Sequence, residues 1–586
     1  MTGFDRTSLA YALRVAGCAA LALVLGQALG LEHPQWAGMT VWAASQPLRG
    51  HLLEKAGYRF GGTLVGAGFG MALMAVTRGE LHWLIVGISL WLGCAAAAGN
   101  LLRGFASYGA MLAGYTAAMV ALLDAAHPDH IWALGADRVA TVGLGVAVAL
   151  AGGWLFARPG GAAPSEAAFA LAARRVLARV AGDRGDSEVA LVGEMARIEA
   201  GLDLAAAGSM GARRAVRHLR AGLIASLELL LWARRGQAGP DLADALREAG
   251  SDPAALRRAA GLAPAPLARP LTRLAAALAG EAGGEGLMPV PALKRDWAGA
   301  RSAMLRGAGT LLAVGAFWLL SGWPMGGYMM LGAAIMTSIF STFEHPLRVL
   351  PKVAIGQGLG VLGAMACRWL VWPLAGSDWA LVALVLPFIA LGALIASHRR
   401  TAVMGFDYNM VLLLMLQPVF PLTMGFGTSV EAGIAVVAAP LIALMAFRLI
   451  APPSATVRAA ELRRAAVAEL QLQARRPQAR GLRARVAHQA LVSMFWAERA
   501  PETAAQSADA ALGLLALGAA IQHLSELAEG PAPGPSRRAK AALARLARLA
   551  SDPRRAGRAL LRAAGAPGAD RALLETAADA ARGMAA

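Results

Sequence analysis

Two long apolar stretches alternate with two polar stretches along the chain. The first apolar stretch covers about residues 9–157, an Ala- and Arg-rich polar stretch follows it, and the same pairing begins again near residue 300. Each apolar stretch divides into runs of roughly 17–22 residues, and a helix of that length crosses a bilayer at about 1.5 Å per residue. The pattern therefore predicts two blocks of membrane helices.

Turn signals such as Glu32-His33-Pro34, Trp323-Pro324 and Pro452-Pro453 separate the runs and indicate six crossings in each half. The predicted crossings are 9–30, 36–55, 57–76, 81–99, 104–123 and 138–157 in the first half, and 303–322, 324–343, 353–372, 379–397, 402–422 and 432–450 in the second.

Short segments of similar sequence occur at corresponding places in the two halves. Gln46-Pro47-Leu48-Arg49 resembles His345-Pro346-Leu347-Arg348, each at the end of a predicted second crossing, and each precedes a Lys and then a Gly-rich run. Because both halves have an even number of predicted crossings, the repeat is expected to be parallel. Chance similarity in a chain rich in Gly, Pro and Arg is the alternative.

The polar stretches are rich in Ala, Leu, Arg and Glu, with apolar residues at helical spacing, as in Leu219-Leu223-Leu227-Leu230. We expect helical bundles or hairpins, and the second stretch could also dock on the first. The chain is therefore predicted to be an all-α polytopic membrane protein, with two parallel repeats of six transmembrane helices, each followed by a helical cytoplasmic domain. The predicted domains are 1–157, 158–296, 297–451 and 452–586.

Charge distribution predicts the topology. The chain is 57% hydrophobic, only 16% charged and carries a formal net charge of +18, much of it in Arg pairs. Such a balance could indicate nucleic acid or anionic lipid, but membrane proteins also concentrate Lys and Arg on the cytoplasmic side. With the N-terminus inside, the inner loops would carry most of the loop charge, so we predict cytoplasmic termini and no nucleic-acid partner.

The cysteines and the first apolar run argue against a disulfide framework, a cysteine metal site and a cleavable signal peptide. Cys18, Cys94 and Cys367 lie in apolar runs without disulfide or metal spacing. The first run is long, follows Arg6 and lacks a clear cleavage site, so it is expected to remain as the first membrane helix.

The second predicted crossing is the most informative segment. Its apolar part, Trp36–Ala44, covers under half of a roughly 30 Å hydrocarbon core at about 1.5 Å per residue, and a polar segment broken by Pro47 and Gly50 follows. Irregular backbone is tolerated in a membrane where it is buried in protein or lines a cavity. We expect 45–59 to line the cytoplasmic side of a transport path. An ordinary inside loop is the alternative.

Several polar residues are candidates for handling an anion and a proton. Asp407 is the best carboxylate for proton coupling, with an inner helix-end carboxylate near Arg399 and Arg400 as the alternative reading. Aromatic residues near crossing ends could instead belong to the interface belt. The predicted substrate-binding residues are Trp36, Gln46, Arg49, Lys55, Arg59, Tyr115, Thr116 and Arg368, and the predicted proton-coupling residues are Asp407 and Glu344.

The glycine and histidine spacings of the chain do not indicate a catalytic or metal site. Gly61, Gly62, Gly66 and Gly70 predict close helix packing, and a phosphate loop is excluded because Gly-Lys-Ser/Thr is missing. No metal or other cofactor is predicted, although the two His residues at 127 and 130 have a metal-like spacing. No nucleophile–base pair is visible, so we predict that the protein is not an enzyme.

At these residues the chain resembles a known family. The segment Glu32–Val41, then Gln46-Pro47, Arg49-Gly50 and Tyr58-Arg59, is similar to the fusaric acid resistance family, which includes aromatic carboxylic acid exporters; Leu112–Ala118 and Gly322–Gly326 also look like its sequences. The resemblance implies a bacterial inner-membrane efflux component for aromatic or related weak organic acids. It also implies, for some members, a periplasmic adaptor (membrane fusion) protein.

One departure concerns the region of Arg138, where the family tends to carry a Glu a few residues on and this chain has Ala140-Thr141. Plant malate-type anion channels form a related branch.

The expected function is export of organic anions driven by the proton motive force. A passive anion channel is one alternative, and a membrane scaffold or sensor acting through its cytoplasmic helices is another. The sequence leaves homo-oligomer formation open.

Overall fold

The computed structural model describes residues 3–123, 130–157, 162–234, 238–281, 296–343, 345–452, 455–476, 482–498 and 501–584, without the side chains of 455, 482–484 and 501–505. Within these ranges the chain forms helices and connecting turns, with an isolated bridge between Phe4 and His398. The all-helical class predicted from the sequence is confirmed. The chain divides into two compact units, residues 1–160 with 293–453 and residues 161–292 with 454–586.

The first of these, here called the membrane unit, contains both apolar stretches. Its helices in the first half are α1 (Arg6–Ala28), α2 (Pro34–Ala44), α3 (Arg49–Thr77), α4 (Leu81–Leu101), α5 (Gly104–Leu122) and α6 (Ile131–Phe156). Those in the second half are α13 (Trp297–Ser321), α14 (Gly326–Ile339), α15 (Pro346–Ala366), α16 (Asp378–Ser397), α17 (Ala402–Met415) and α18 (Phe426–Leu449).

The second, here called the helical unit, contains both polar stretches. Its helices are α7 (Ala163–Val180), α8 (Glu188–Ala205), α9 (Met210–Ala233), α10 (Pro240–Ala249), α11 (Pro253–Leu262) and α12 (Ala265–Leu278), then α19 (Ala455–Arg475), α20 (Leu482–Ala497), α21 (Pro501–Glu529), α22 (Pro533–Leu546), α23 (Pro553–Ala564) and α24 (Arg571–Gly583).

Ten helices in the described part of the chain are long and apolar enough to cross a membrane, and nine of them lie in the membrane unit. The tenth, Gln506–Glu529, lies in the helical unit, where residues such as Leu512, Leu517 and Leu524 are buried among neighbouring helices. Its apolar character therefore has a second explanation, burial in a protein core. Six crossings in each half stay a prediction.

Three helices of the membrane unit are shorter than the predicted crossings. α2 has 11 residues and α14 and α17 have 14 each, so α2 covers only about 16 Å at about 1.5 Å per residue. The predicted crossing 36–55 is wrong as a single element, because the chain leaves the helix at Ser45 and α3 begins at Arg49. The irregular backbone is therefore confined to 45–48, and most of 45–59 is helical.

The two halves of the membrane unit repeat the same helix neighbours. In the first half α3 packs on α5 and α6, and α2 packs on α1 and α6; in the second half α15 packs on α17 and α18, and α14 packs on α13 and α18. Contacts between the halves are also reciprocal. α4 of the first half packs on α13, and its counterpart α16 packs on α1. In the same way α5 packs on α14, and its counterpart α17 packs on α2. Each helix of the first half thus has a counterpart at the same place in the second.

Glycines bring the central helices of each half into close contact. A Cβ atom at Gly66 would lie 2.6 Å from the carbonyl oxygen of Ala113 on α5, and one at Gly70 would lie 2.9 Å from that of Ala117. The corresponding contact in the second half is between Gly360 and the carbonyl oxygen of Tyr408, at 2.7 Å. The prediction of close helix packing is confirmed for these positions but wrong for Gly61, which faces open space.

The helical unit has one core built from both polar stretches. Buried apolar residues of α7–α12 and of α19–α24 form a continuous cluster. A buried ionic network also joins the stretches: the carboxylate of Glu199 on α8 accepts hydrogen bonds from Arg220 Nε at 3.0 Å and from His488 Nδ1 of α20 at 2.8 Å. Asp203 completes it through Arg220 Nη2 at 2.5 Å. The two stretches are therefore a single structural unit.

Replacing Gly66 by Ala should destabilise the protein by about 1–3 kcal/mol, because the added methyl group would collide with the backbone of α5. The measurement is thermal unfolding of the purified protein in detergent. Gly61→Ala on the same helix is the control and should leave the midpoint unchanged or slightly higher, since nothing lies within 4 Å of its Cβ position. Equal midpoints for the two variants would contradict the close contact.

Replacing Glu199 by Ala should destabilise the helical unit by about 3 kcal/mol, because it removes the buried carboxylate that Arg220 and His488 share as a hydrogen-bond acceptor. Limited proteolysis of the full chain across a urea series measures the effect. Asp509→Ala is the matched control: it also removes a link between the stretches, to Arg234, but its side chain is 69% exposed and the expected loss is about 1 kcal/mol or less. Similar losses in both variants would argue against the network.

Candidate functional site

A cavity of about 560 Å³ lies in the membrane unit between its two halves. The first half contributes residues around the start of α2, including Trp36. The second half contributes the ends of α15 and α17, one face of α18, and Arg368, which follows α15 directly. The cavity-lining residues are Glu32, His33, Gln35, Trp36, Leu123, His130, Leu134, Tyr328, Ala364, Met365, Arg368, Leu414, Met415, Gln417, Val419, Thr423, Met424, Ser429, Ala432 and Val436. Trp36 and Arg368, both predicted site residues, are thus brought together.

Helix α2 fixes the position of Trp36. Proline at the first helical position, Pro34, suits the start of a helix, and all residues of α2 except Ala43 are buried. The Trp36 ring stacks on the imidazole of His33 with the centroids 4.0 Å apart. On the same ring, the guanidinium carbon of Arg138 lies 5.1 Å from the centroid. Trp36 therefore connects the cavity to a buried cation of α6.

Arg138 is a functional candidate that the sequence did not reveal. The predicted sixth crossing began at 138 and left this residue at the outer edge, but α6 begins at Ile131 because the apolar residues Ile131–Leu134 extend the helix. Arg138 is only 3% exposed, and its Nε and Nη1 atoms have no hydrogen-bond partner among the described residues. A guanidinium with unsatisfied donors in a low-dielectric interior is costly, so this place favours an anion.

Asp137, beside Arg138, ties the start of α2 to α6. Its carboxylate accepts hydrogen bonds from the backbone N–H of Glu32 and from Nδ1 of His33, both at 3.0 Å. A second contact joins Glu32 to His130, with 3.2 Å between the carboxylate oxygen and Nε2. This chain has no Glu a few residues beyond Arg138, but Asp137 places a buried carboxylate directly before it.

A second buried cluster surrounds Arg59 of α3. Arg59 is 2% exposed and donates hydrogen bonds to the hydroxyls of Tyr108 on α5 and, at 3.4 Å, Thr40 on α2. Tyr115, one of the predicted residues, hydrogen-bonds within the same cluster. Lys55 lies at its edge, with its amine 5.2 Å from the Tyr108 ring centroid.

The clusters around Arg59 and Arg138 are close enough for the charge of one guanidinium to act on the other. The Nε atom of Arg59 also lacks a hydrogen-bond partner in the described part of the chain. Three cations of the first half, Lys55, Arg59 and Arg138, thus follow one another toward Trp36 and the cavity.

Other predicted substrate residues lie elsewhere. Arg49 donates from Nε to the carbonyl of Ala157 at 2.8 Å, and the backbone carbonyl of Gln46 accepts a hydrogen bond from Arg14 at 2.9 Å. Neither Arg49 nor Gln46 lines the cavity. Thr116 is buried where α5 meets Gly66, a position that suits helix contact.

In the second half, Arg368 is 6% exposed, and its guanidinium carbon lies 6.0 Å from the ring centroid of Trp369 and 5.9 Å from that of Trp372. Asp407 is buried on α17, and the side chain of Gln357 on α15 is close enough to interact with its carboxyl group. It does not line the cavity.

Glu344 lies outside the described residues, as does the histidine at 127. Within the described ranges, no group of His, Cys, Asp and Glu has the arrangement of a metal site.

Comparison with known proteins identifies the family of this chain. The Fusaric acid resistance protein family matches residues 8–285 and 242–585. No solved structure matches the chain.

Three curated relatives are named transporters or pump subunits. An uncharacterized transporter of Gluconobacter oxydans is 26% identical over 61% of this chain and 59% of its own length. The uncharacterized transporter YdhK of Escherichia coli is 32% identical over 23% of this chain and 21% of its own, and the p-hydroxybenzoic acid efflux pump subunit AaeB of Edwardsiella tarda is 26% identical over 24% and 23%. The chain thus spans about three fifths or less of each relative.

The family match covers nearly the whole chain, and the residues that carried the resemblance, from Glu32 to Arg59, form the start of α2, the break after it and the buried Arg59 cluster. The chain belongs to the Fusaric acid resistance protein family.

Proposed function

We propose that the protein is a bacterial inner-membrane transporter that exports aromatic or related weak organic acids as anions. Membrane transport is supported by the family and by relatives named transporters. An aromatic acid as the substrate is supported by the chemistry of the membrane unit and by a relative named for p-hydroxybenzoic acid.

The observation that carries the proposal is the buried guanidinium of Arg138. Arg138 does not itself line the cavity, but its guanidinium carbon lies 5.1 Å from the ring centroid of Trp36, which does. Two of its nitrogen atoms have no partner among the described residues, and Arg59 adds a second buried positive charge nearby. Asp137 compensates one charge but is already engaged by His33 and the Glu32 backbone. A carboxylate that reached Arg138 would accept a charge-assisted hydrogen bond from one of these donors and would offset the buried positive charge.

The flat surfaces around the cavity favour an aromatic body for that anion. The stacked pair of Trp36 and His33 lines the cavity, and Arg368, which has an indole 5.9 Å from its guanidinium carbon, lines it as well. Offset stacking on an indole stabilises an aromatic ring by about 0.5–1.5 kcal/mol beyond simple burial. The carboxylate would then face a cation while the ring remains among apolar side chains.

Direction follows from the orientation with the N-terminus inside. In that orientation the loop 29–33 and the cavity lie at the outer end of α1, and the start of α3 with Lys55 lies at the inner end. The series Lys55, Arg59 and Arg138 then leads an anion outward, and an interior negative potential favours its exit by about 2.3 kcal/mol per charge per 100 mV.

Asp407 is the proposed proton-coupling residue. It lies on the helix pair α15–α17, which corresponds to α3–α5, so the second half has a carboxylate and the amide of Gln357 where the first half has its basic cluster. A carboxylate buried without a cationic partner among the described residues is stabilised in its protonated form, and it can exchange that proton when the path opens to water.

We also propose a repeated membrane architecture and a partner protein. Two parallel repeats, with each half crossing the membrane six times, would account for the reciprocal helix neighbours. Because the AaeB relative is named a pump subunit, we also propose a periplasmic adaptor as a partner.

Replacing Arg138 by Gln should weaken binding of 4-hydroxybenzoate at least about 30-fold, because one charge-assisted, buried contact is lost. Counterflow of the radiolabelled acid in proteoliposomes measures the effect. Arg400→Gln makes the same chemical change at an exposed position and should transport normally. Normal counterflow by Arg138→Gln, or equal losses in both variants, would remove the support for this anion site.

Replacing Asp407 by Asn should abolish uphill transport driven by a pH gradient, because the amide cannot exchange a proton, and should leave downhill exchange of 4-hydroxybenzoate in place. The comparison is made in proteoliposomes with and without a protonophore. A passive channel would never accumulate the acid above electrochemical equilibrium, even in the unmodified protein, and that result would favour the channel.

A further inference from the structure

The helical unit contains a cavity of its own. It measures about 630 Å³ and lies among the first turns of α7, the first turns of α9 and the end of α12. Phe169, Leu219 and Leu278 form apolar parts of its wall, together with several alanines. A volume of this size is typical of small-molecule sites, which are mostly apolar with a few polar groups that fix orientation.

Among the charged or titratable residues that line this cavity, His218 is the buried one. Its side chain lines the wall, and the residue is only 7% exposed. Among the described residues no hydrogen bond, ion pair or ring contact involves His218. Buried polar side chains normally have a hydrogen-bond partner, and each exception requires an explanation. An imidazole always has at least one N–H to donate, so a ligand acceptor would supply the missing partner.

The charges around His218 favour an acidic ligand. Arg214 lines the cavity one helical turn before His218, so both side chains lie on the same face of α9. The first turns of α7 and α9 also line the cavity, and the N-terminal end of a helix attracts negative charge.

Two features of the wall could oppose an anion. Glu166 lines the cavity, but it is exposed to solvent at the first turn of α7. The last turn of α12 is the other, but its carbonyls at Ala275, Ala276 and Ala277 already accept hydrogen bonds from the backbone that follows. The balance therefore favours a negative group beside Arg214.

We propose that this cavity binds a small amphipathic organic acid, with its apolar body against Phe169 and Leu219 and its carboxylate toward Arg214 and His218. The site is separate from the cavity of the membrane unit and does not depend on the direction or substrate of transport. Since α7 begins seven residues after the end of α6, a bound ligand stabilises the helix that directly follows a candidate membrane span.

The test is hydrogen–deuterium exchange of the purified full chain, followed by mass spectrometry, with 2-naphthoate as the probe. At three times its dissociation constant, the probe should slow exchange about fourfold in peptides that cover 163–170 and 211–219. Because the readout is local, binding in the membrane unit is recorded in other peptides, and Arg368→Gln should leave the slowing at 163–170 unchanged.

Two variants should abolish the slowing. His218→Leu removes the unpaired donor, and Ala167→Trp fills the cavity from an exposed position on α7, where a folding defect is not expected. Ala168→Trp is the matched control, because Ala168 is the next residue, is exposed and does not line the cavity; it should respond as the unmodified protein does. The proposal is overturned by slowing that survives Ala167→Trp, by no slowing in the unmodified protein, or by equal slowing with acetate or inorganic phosphate, which lack an apolar body.

Discussion

Positive charge held in a low-dielectric interior is the constraint on which the membrane unit depends. Arg59 and Arg138 are each 3% exposed or less, and the described part of the chain leaves donors of both without a partner. Neighbouring groups compensate in part: the tyrosine hydroxyls contact Arg59, and the Trp36 ring contacts Arg138. These contacts do not neutralise the positive charges of the two guanidinium groups. An anion that binds there for a limited time would neutralise them without a permanent ion pair.

The two halves share their helix arrangement but differ in chemistry. Glycines bring α3 to α5 and α15 to α17 at closely similar distances. Beside those glycines the first half has Arg59 with its tyrosines, while the second half has Asp407 with Gln357. The same helix-pair scaffold thus holds a basic cluster in one half and a carboxylate in the other.

Much of the fold was predictable because it depends on local patterns. Apolar runs of membrane length located most of the long helices, and glycines at four-residue spacing located the α3–α5 contact, although Gly61 showed that spacing alone does not identify the facing side. The sequence also singled out Trp36, Arg59, Tyr115 and Arg368, because polar and aromatic residues are rare in apolar runs; their role in binding stays a prediction.

Arg138 and Tyr108 were missed as site residues for a physical reason. Their roles depend on which helices meet in three dimensions, and the start of α6 was placed seven residues too late. His218 carries no sequence signal at all, because a histidine on a helix is ordinary until its surroundings are known to lack a partner.

Helix α2 contacts α1 and α6 of its own half and α17 of the other, and nearly all of its residues are buried. It therefore has almost no boundary with lipid, and its position is set entirely by protein neighbours. Any tilt or translation of α2 would move Trp36 in the cavity wall and press on the helix of Asp407 in the same motion. A short, lipid-free helix of this kind gives the two halves a mechanical linkage, through which occupancy of the cavity and the protonation state of a distant carboxylate can influence each other.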